Sequence, residues 1–159
     1  MSASAPIRVS GCIVLCAAAW AGLAAQTPAG SALLTVSELR CDFRYMAVSN
    51  WADQGPTLEA MPARLSLRFT AIRAQDGSAD AEGGFGSPHV TALLAGRHLH
   101  FFQTTHLGTL YATTVFDEPD ADGRLRAVHS RHEVTDVSVP GFTSKPEQYY
   151  GQCAIVRTH

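Results

Sequence analysis

Lysine is almost missing from this chain. Lys145 stands alone beside eleven arginines, and the 12 basic residues are outnumbered by 14 acidic ones. Without a basic surplus there is nothing to neutralise a phosphate backbone, and nucleic acid is excluded as a partner. Asparagine is equally scarce: Asn50 is the only one, and Trp51-Ala52 after it gives no N-glycosylation acceptor. The long apolar run is Gly11 to Ala25, about 15 residues, where a bilayer-spanning helix needs roughly 20. Beyond it, no stretch carries apolar residues at helical spacing for three turns, which sets helical and α/β folds aside.

Cysteine is sparse in an informative way. Of four cysteines, Cys12 and Cys16 lie inside the N-terminal apolar run, leaving Cys41 and Cys153. Residues 1–25 read as an export signal. Arg8 precedes the apolar run, no acidic residue appears before Glu38, and Ala24-Ala25 sits ahead of a polar, Pro-containing stretch. Val9-Ser10-Gly11-Cys12 is not read as a lipidation box, because the apolar region follows the cysteine instead of preceding it. Cleavage after Ala25 leaves residues 26–159, 134 of the 159, enough for one domain with its own core. The expected location is the periplasm or the exterior, where a Cys41–Cys153 disulfide persists. No membrane span remains after cleavage.

The dominant period of that domain is two. Leu39, Cys41, Phe43 and Tyr45 alternate with Arg40, Asp42 and Arg44; Leu65, Leu67, Phe69 and Ala71 alternate with Arg64, Ser66, Arg68 and Thr70. Such alternation predicts strands with one buried and one wet face. Asp76-Gly77 and Asp122-Gly123 are strong hairpin dipeptides, since tight hairpin turns need φ > 0. Ala95-Gly96-Arg97 and His106-Leu107-Gly108 are weaker turns, and Gly83-Gly84-Phe85-Gly86 marks a bulge or close strand packing. The predicted strands cover 34–46, 63–74, 79–83, 88–95, 98–105, 109–117, 124–134 and 147–156. Thr57–Ala63 reads as one helical turn at most. Two long loops are expected: Val48 to Pro62 with Trp51, and Thr135 to Pro146 with Phe142.

About eight short strands make an all-β domain, either a single antiparallel barrel, lipocalin-like in outline, or a β-sandwich. In an up-and-down barrel the first and last strands are neighbours, and Cys41 and Cys153 fall within them. Their disulfide would staple the seam across a loop of about 112 residues, worth roughly 4–5 kcal/mol in the chain-entropy picture. It would also remove the last free thiols, and cysteine catalysis with them.

Several clusters invite a chemical reading. In Val128-His129-Ser130-Arg131-His132, strand alternation puts His129 and Arg131 on one face and Ser130 and His132 on the other. The first pair suits a carboxylate or phosphate, and the second a Ser–His dyad. The run lacks the Gly-x-Ser-x-Gly turn of a hydrolase, and internally bonded polar side chains explain it as well. His98 and His100 share a strand face as two zinc ligands would, but zinc needs a third and fourth. Glu118 to Gly123 mimics half a calcium loop, with Arg126 and His129 at positions nine and twelve; an acidic hairpin turn is the simpler reading. Trp51, Phe142, Tyr149 and Tyr150 lie in or beside the long loops and could line a pocket for a small apolar ligand. Core packing and loop anchoring explain them equally. Nothing calls for a cofactor.

Leu99-His100-Phe101-Phe102, Thr113-Thr114-Val115-Phe116, the Val-His-Ser-Arg-His run and Glu147-Gln148-Tyr149-Tyr150-Gly151-Gln152-Cys153 resemble a family of uncharacterised small exported bacterial proteins. The resemblance spans residues 38–153 and is strongest after residue 98. A Gly-Asn pair of that family is replaced here by Gly83-Gly84. The resemblance implies one exported bacterial domain with the Cys41–Cys153 pairing, and no mechanism. The expectation is a monomeric or weakly associating domain that binds a small apolar ligand or a protein without catalysis. The rival expectation is a hydrolase or metal-dependent enzyme built on His129, Ser130, Arg131 and His132.

Overall fold

The computed structural model describes residues 31–83, 88–133 and 145–156, apart from the side chains of Trp51 and Ala52. The export signal, Phe142, residues 84–86 of the glycine cluster and most of the 135–146 loop lie outside the described residues. A 3-10 turn, Ala32–Leu34, precedes eight strands: β1 Leu39–Ala52, β2 Gly55–Arg73, β3 Ser78–Glu82, β4 His89–Ala95, β5 His98–Thr104, β6 Leu110–Pro119, β7 Leu125–His132 and β8 Glu147–Ile155. Each pairs antiparallel with the next, and β8 returns to β1, so the sheet closes on itself as a barrel and not as a sandwich.

The interior is built by the alternation. Leu39, Cys41 and Phe43 of β1 meet Leu67 and Phe69 of β2, Ala92 of β4, Leu99 and Phe101 of β5, Val115 of β6 and Leu125 of β7. Phe69 and Phe101 stack with ring centroids 3.8 Å apart. Leu33 from the 3-10 turn and Val36 complete this core beside the start of β1. That closes one end of the barrel. The four turn signals of the sequence all hold: Gly77, Gly96, Gly108 and Gly123 each have positive φ between consecutive strands.

Five expectations are corrected. Residue 34 lies in the 3-10 turn, and the first strand starts at Leu39. Tyr45 does not continue the inward face: the register shifts between Phe43 and Tyr45, and Tyr45 is 66% exposed. Ala71 is likewise turned outward with φ 47°, and Ile72 takes the inward place, because the β2–β3 register shifts between Thr70 and Arg73. A bulge adds one residue and reverses the alternation beyond it. The 48–62 segment is no long loop, and Thr57–Ala63 no helical turn. β1 and β2 run on as a hairpin to the Ala52–Gly55 pair, past the last β1–β8 pair at Val48–Glu147.

The seam between β1 and β8 confirms the disulfide. Cys41 and Cys153 are opposite each other, bonded and fully buried. Gly151 faces Phe43 two residues from the cysteine. A Cβ there would press on the Asp42 carbonyl and stand 2.7 Å from Phe43 Cα. Only glycine lets β8 lie this close to the bulge in β1. Gly151→Ala is therefore expected to cost roughly 3 kcal/mol, and Cys41→Ala/Cys153→Ala roughly 4–5 kcal/mol, both read by urea unfolding. Gly96→Ala, which meets nothing within 4 Å, carries only its φ of 59° and should cost about 1 kcal/mol.

Candidate functional site

The inner face of β7 changes character along its length. Leu125 and Ala127 belong to the apolar core, whereas the next two inward positions are His129 and Arg131, both buried. Polar side chains therefore gather at the barrel end opposite Leu33. The strand neighbours of β7 supply the partners. Thr113 on β6 and Tyr149 on β8 flank His129, and Tyr111 and Glu147 flank Arg131.

His129 is enclosed. Its Nδ1 lies 2.8 Å from the Thr113 hydroxyl, and the rings of Phe43, Tyr149 and Tyr111 surround it at centroid distances of 5.8, 5.8 and 6.1 Å. Burial pushes its pKa down to about 4, against an opposing pull from the Glu147 carboxylate. The imidazole is thus neutral at ordinary pH.

Above it sits a charged cluster. Arg131 donates to Glu133 from Nε at 3.0 Å and again from Nη2, while its Nη1 is 3.7 Å from Glu147. The Glu147 side chain is 1% exposed and accepts the Tyr149 hydroxyl proton at 2.5 Å. Burial, followed by that bond, raises the pKa of Tyr149. Burial likewise raises that of Tyr111, with Arg131 opposing. Arg131 engages two carboxylates and His129 bonds Thr113, which is the internally bonded arrangement of polar side chains that the sequence also allowed.

Among the described residues the space left beside His129 is small. Between the apolar wall of Leu67, Phe69, Val90 and Phe101 and the polar wall of Gln103, Tyr111, Thr113 and His129 lies a cavity of 20 Å³. That is room for about one water, against roughly 300 Å³ for the smallest ordinary ligand pockets. Two clefts lie at the rim. One, of 380 Å³, is formed by His89, Thr91, Phe102 and Gln103 among others; one, of 230 Å³, by Leu58, Ser130, His132 and Gln148 among others.

The other candidates are dispersed. Ser130 and His132 point out of the barrel, away from His129 and Arg131, so the four do not form one site. Tyr149 faces inward, but Tyr150 is on the outer wall, 45% exposed and donating to Gln148 at 2.7 Å. Trp51 is in the last turnward residues of β1, paired with Pro56. Tyr149 and Tyr150 thus face opposite sides of the wall and do not line one pocket, while Phe142 and the Trp51 side chain lie outside the described residues. His98 and His100 share the outer face, 6.2 Å apart between ring centroids. His98 lies edge-on to Phe116, and His100 bonds Thr114 at 3.0 Å. Among the described residues no group of three His, Cys, Asp or Glu side chains converges as metal ligands. The Glu118–Gly123 segment is a hairpin turn in which the Asp120 carboxylate accepts from the amides of Asp122 and Arg124 and from Gln152.

Glu147, Glu133, Thr113 and Tyr111 were not singled out from sequence. Glu147 and Tyr149 are two residues apart on one strand, a signal that they share a face, but not which one. Comparison of the chain with protein-family models, with curated proteins and with solved structures gives no match.

The neutral state of His129 sets a pH dependence. Its folded pKa, about 4, lies below the ordinary 6.5. Between these values the unfolded chain binds the extra proton, so stability rises with pH across that window and is lost as pH falls. The 2.5-unit gap corresponds to about 3 kcal/mol. Urea midpoints of the wild type should fall from pH 6.5 to 4, and His129→Gln should flatten that slope. Arg131→Met leaves Glu147 buried without its cation and should cost roughly 3–5 kcal/mol, part of it recovered in Arg131→Met/Glu147→Leu.

Proposed function

We propose that this chain is an exported, non-catalytic binding domain that engages its partner through the outside of its barrel. The observation that carries this reading is the filled interior: a 20 Å³ cavity beneath polar groups that bond one another. A barrel of eight strands is just wide enough for side chains to fill, and here rings of Phe43, Phe69, Phe101, Tyr111 and Tyr149 fill it. Among the described residues the lumen offers a small ligand no comparable volume. Catalysis by the His-Ser-Arg-His run finds no shared site, since the barrel wall separates its two halves.

Export is part of the proposal. The Cys41–Cys153 bond suits an oxidising compartment, and no helix among the described residues is long and apolar enough to cross a membrane. The signal-like residues 1–25 and the resemblance to small exported bacterial proteins point the same way.

Native mass spectrometry of protein purified from the periplasm tests the reading. The expected mass is that of residues 26–159 with one disulfide and no small-molecule adduct. An adduct that disappears in a lumen-filling variant such as Ala81→Phe would sink it.

A further inference from the structure

β5 carries two imidazoles on one side. Leu99 and Phe101 are buried inside the barrel, so His98 and His100, on either side of Leu99, lie on the outer wall, both half-buried. The residues directly across from them are Ala95 and Leu93 on β4 and Phe116 and Thr114 on β6, none of them charged. No cation therefore stands opposite the pair to repel a second positive charge.

The two rings differ in what holds them. His100 Nδ1 lies 3.0 Å from the Thr114 hydroxyl. With Nδ1–H donating there, Nε2 keeps its lone pair, which is how a metal-bound histidine is usually tied down. His98 makes ring contacts, edge-on to Phe116 and to His100 with centroids 5.1 and 6.2 Å away. Among the described residues, its Nδ1 is the one buried side-chain nitrogen or oxygen without a hydrogen-bond partner. Native folds pair their buried polar atoms, and an orphaned one marks a place for a water or an ion. Without a bond at Nδ1, the ring can turn about Cβ–Cγ and present a nitrogen to an ion between the two imidazoles.

The spacing suits one ion. A ligating imidazole nitrogen sits about 2 Å from a divalent transition metal and its ring centroid about 3.2 Å, so two rings on one ion have centroids at most about 6.4 Å apart. His98 and His100, at 6.2 Å, fall within that reach without any movement of the strand. Burial, and then repulsion from His98, lowers the pKa of His100, which reduces competition from protons. Two imidazoles do not make the closed four-ligand site of structural zinc. They do suit copper(II), which heads the divalent affinity order and takes tetragonal geometry with water in the other positions. We propose that His98 and His100 form a copper(II) site on the outer wall of β5, with solvent completing the coordination. The site goes beyond the binding of a partner and does not depend on it.

Titration of the disulfide-bonded protein with copper(II) tests it, read by calorimetry and by electron paramagnetic resonance at one equivalent. The expected spectrum is tetragonal copper(II) coupled to two imidazole nitrogens. His98→Gln and His100→Gln should each weaken binding roughly tenfold or more, since each turns a two-point attachment into a single one. Thr114→Val removes the bond that holds the His100 ring but no ligand, and should weaken binding severalfold while the two-nitrogen spectrum persists. His89→Gln and His132→Gln, on other strands, should leave binding unchanged. Matching circular dichroism melts without metal show that the variants fold. Unaltered affinity in His98→Gln/His100→Gln overturns the site, as does a wild type whose spectrum shows one imidazole nitrogen or none. Neither result touches the filled lumen, which lies on the other side of the wall.

Discussion

Closure of β8 onto β1 is the constraint on which the rest of this molecule depends. The two strands are separated by most of the described chain, so their pairing forfeits more loop entropy than any hairpin in the sheet. Three features at the seam offset that cost. The Cys41–Cys153 bond holds the ends in register, Gly151 admits β8 to the bulged backbone of β1, and Phe43 fills the space beneath. Closure then defines an inside. Only because the ring is shut do His129, Arg131, Glu147 and Tyr149 become buried groups on adjacent strands, obliged to satisfy one another.

That obligation explains the chemistry of the lumen. A buried ion pair is stabilising only when its leftover donors and acceptors are met. Here Glu147 is shared between Arg131 and the Tyr149 hydroxyl, and Arg131 divides its guanidinium between Glu147 and Glu133. His129 avoids the same cost by staying neutral among aromatic rings. Each group acts as a partner to its neighbours, and a network so committed specifies register more than it offers a reactive atom. Slipping β7 by one residue would exchange Arg131 and His129 for Ser130 and His132 in the interior, so the polar pair penalises the wrong pairing of the last strands.

Much of this architecture was legible in the sequence. Alternation located the strands, positive-φ glycines located four turns, and the cysteines predicted the seam. What failed did so for a local reason. Tyr45 and Ala71 lie beyond bulges, and a bulge leaves no mark in a pattern of period two until the register is known. The hairpin after Val48 has Asp53-Gln54 at its tip instead of a strong turn dipeptide, with Pro56 and Pro62 on β2, so it read as loop. The facing of His129 to His132 was illegible because both sets are polar. Glu147, the most buried carboxylate in the cluster, looked like any strand-initiating acid.

The prolines point to a further consequence of the geometry. β2 pairs with β3 only from Arg68 onward, so among the described residues 55–67 have β1 on one side and no third strand of the sheet on the other. An exposed edge of that length would invite another strand. Pro56 and Pro62 cannot donate to such a strand, Arg64 adds charge, and Gly83 comes close enough that a Cβ there would stand 2.5 Å from the Ser66 carbonyl. The edge is thus blunted along its whole length. The barrel guards this stretch of β2 with proline and charge, whereas β5, paired with β4 on one side and β6 on the other, carries neither. A strand paired on both sides offers no backbone for strand addition, so the devices that blunt an edge are needed only where pairing stops.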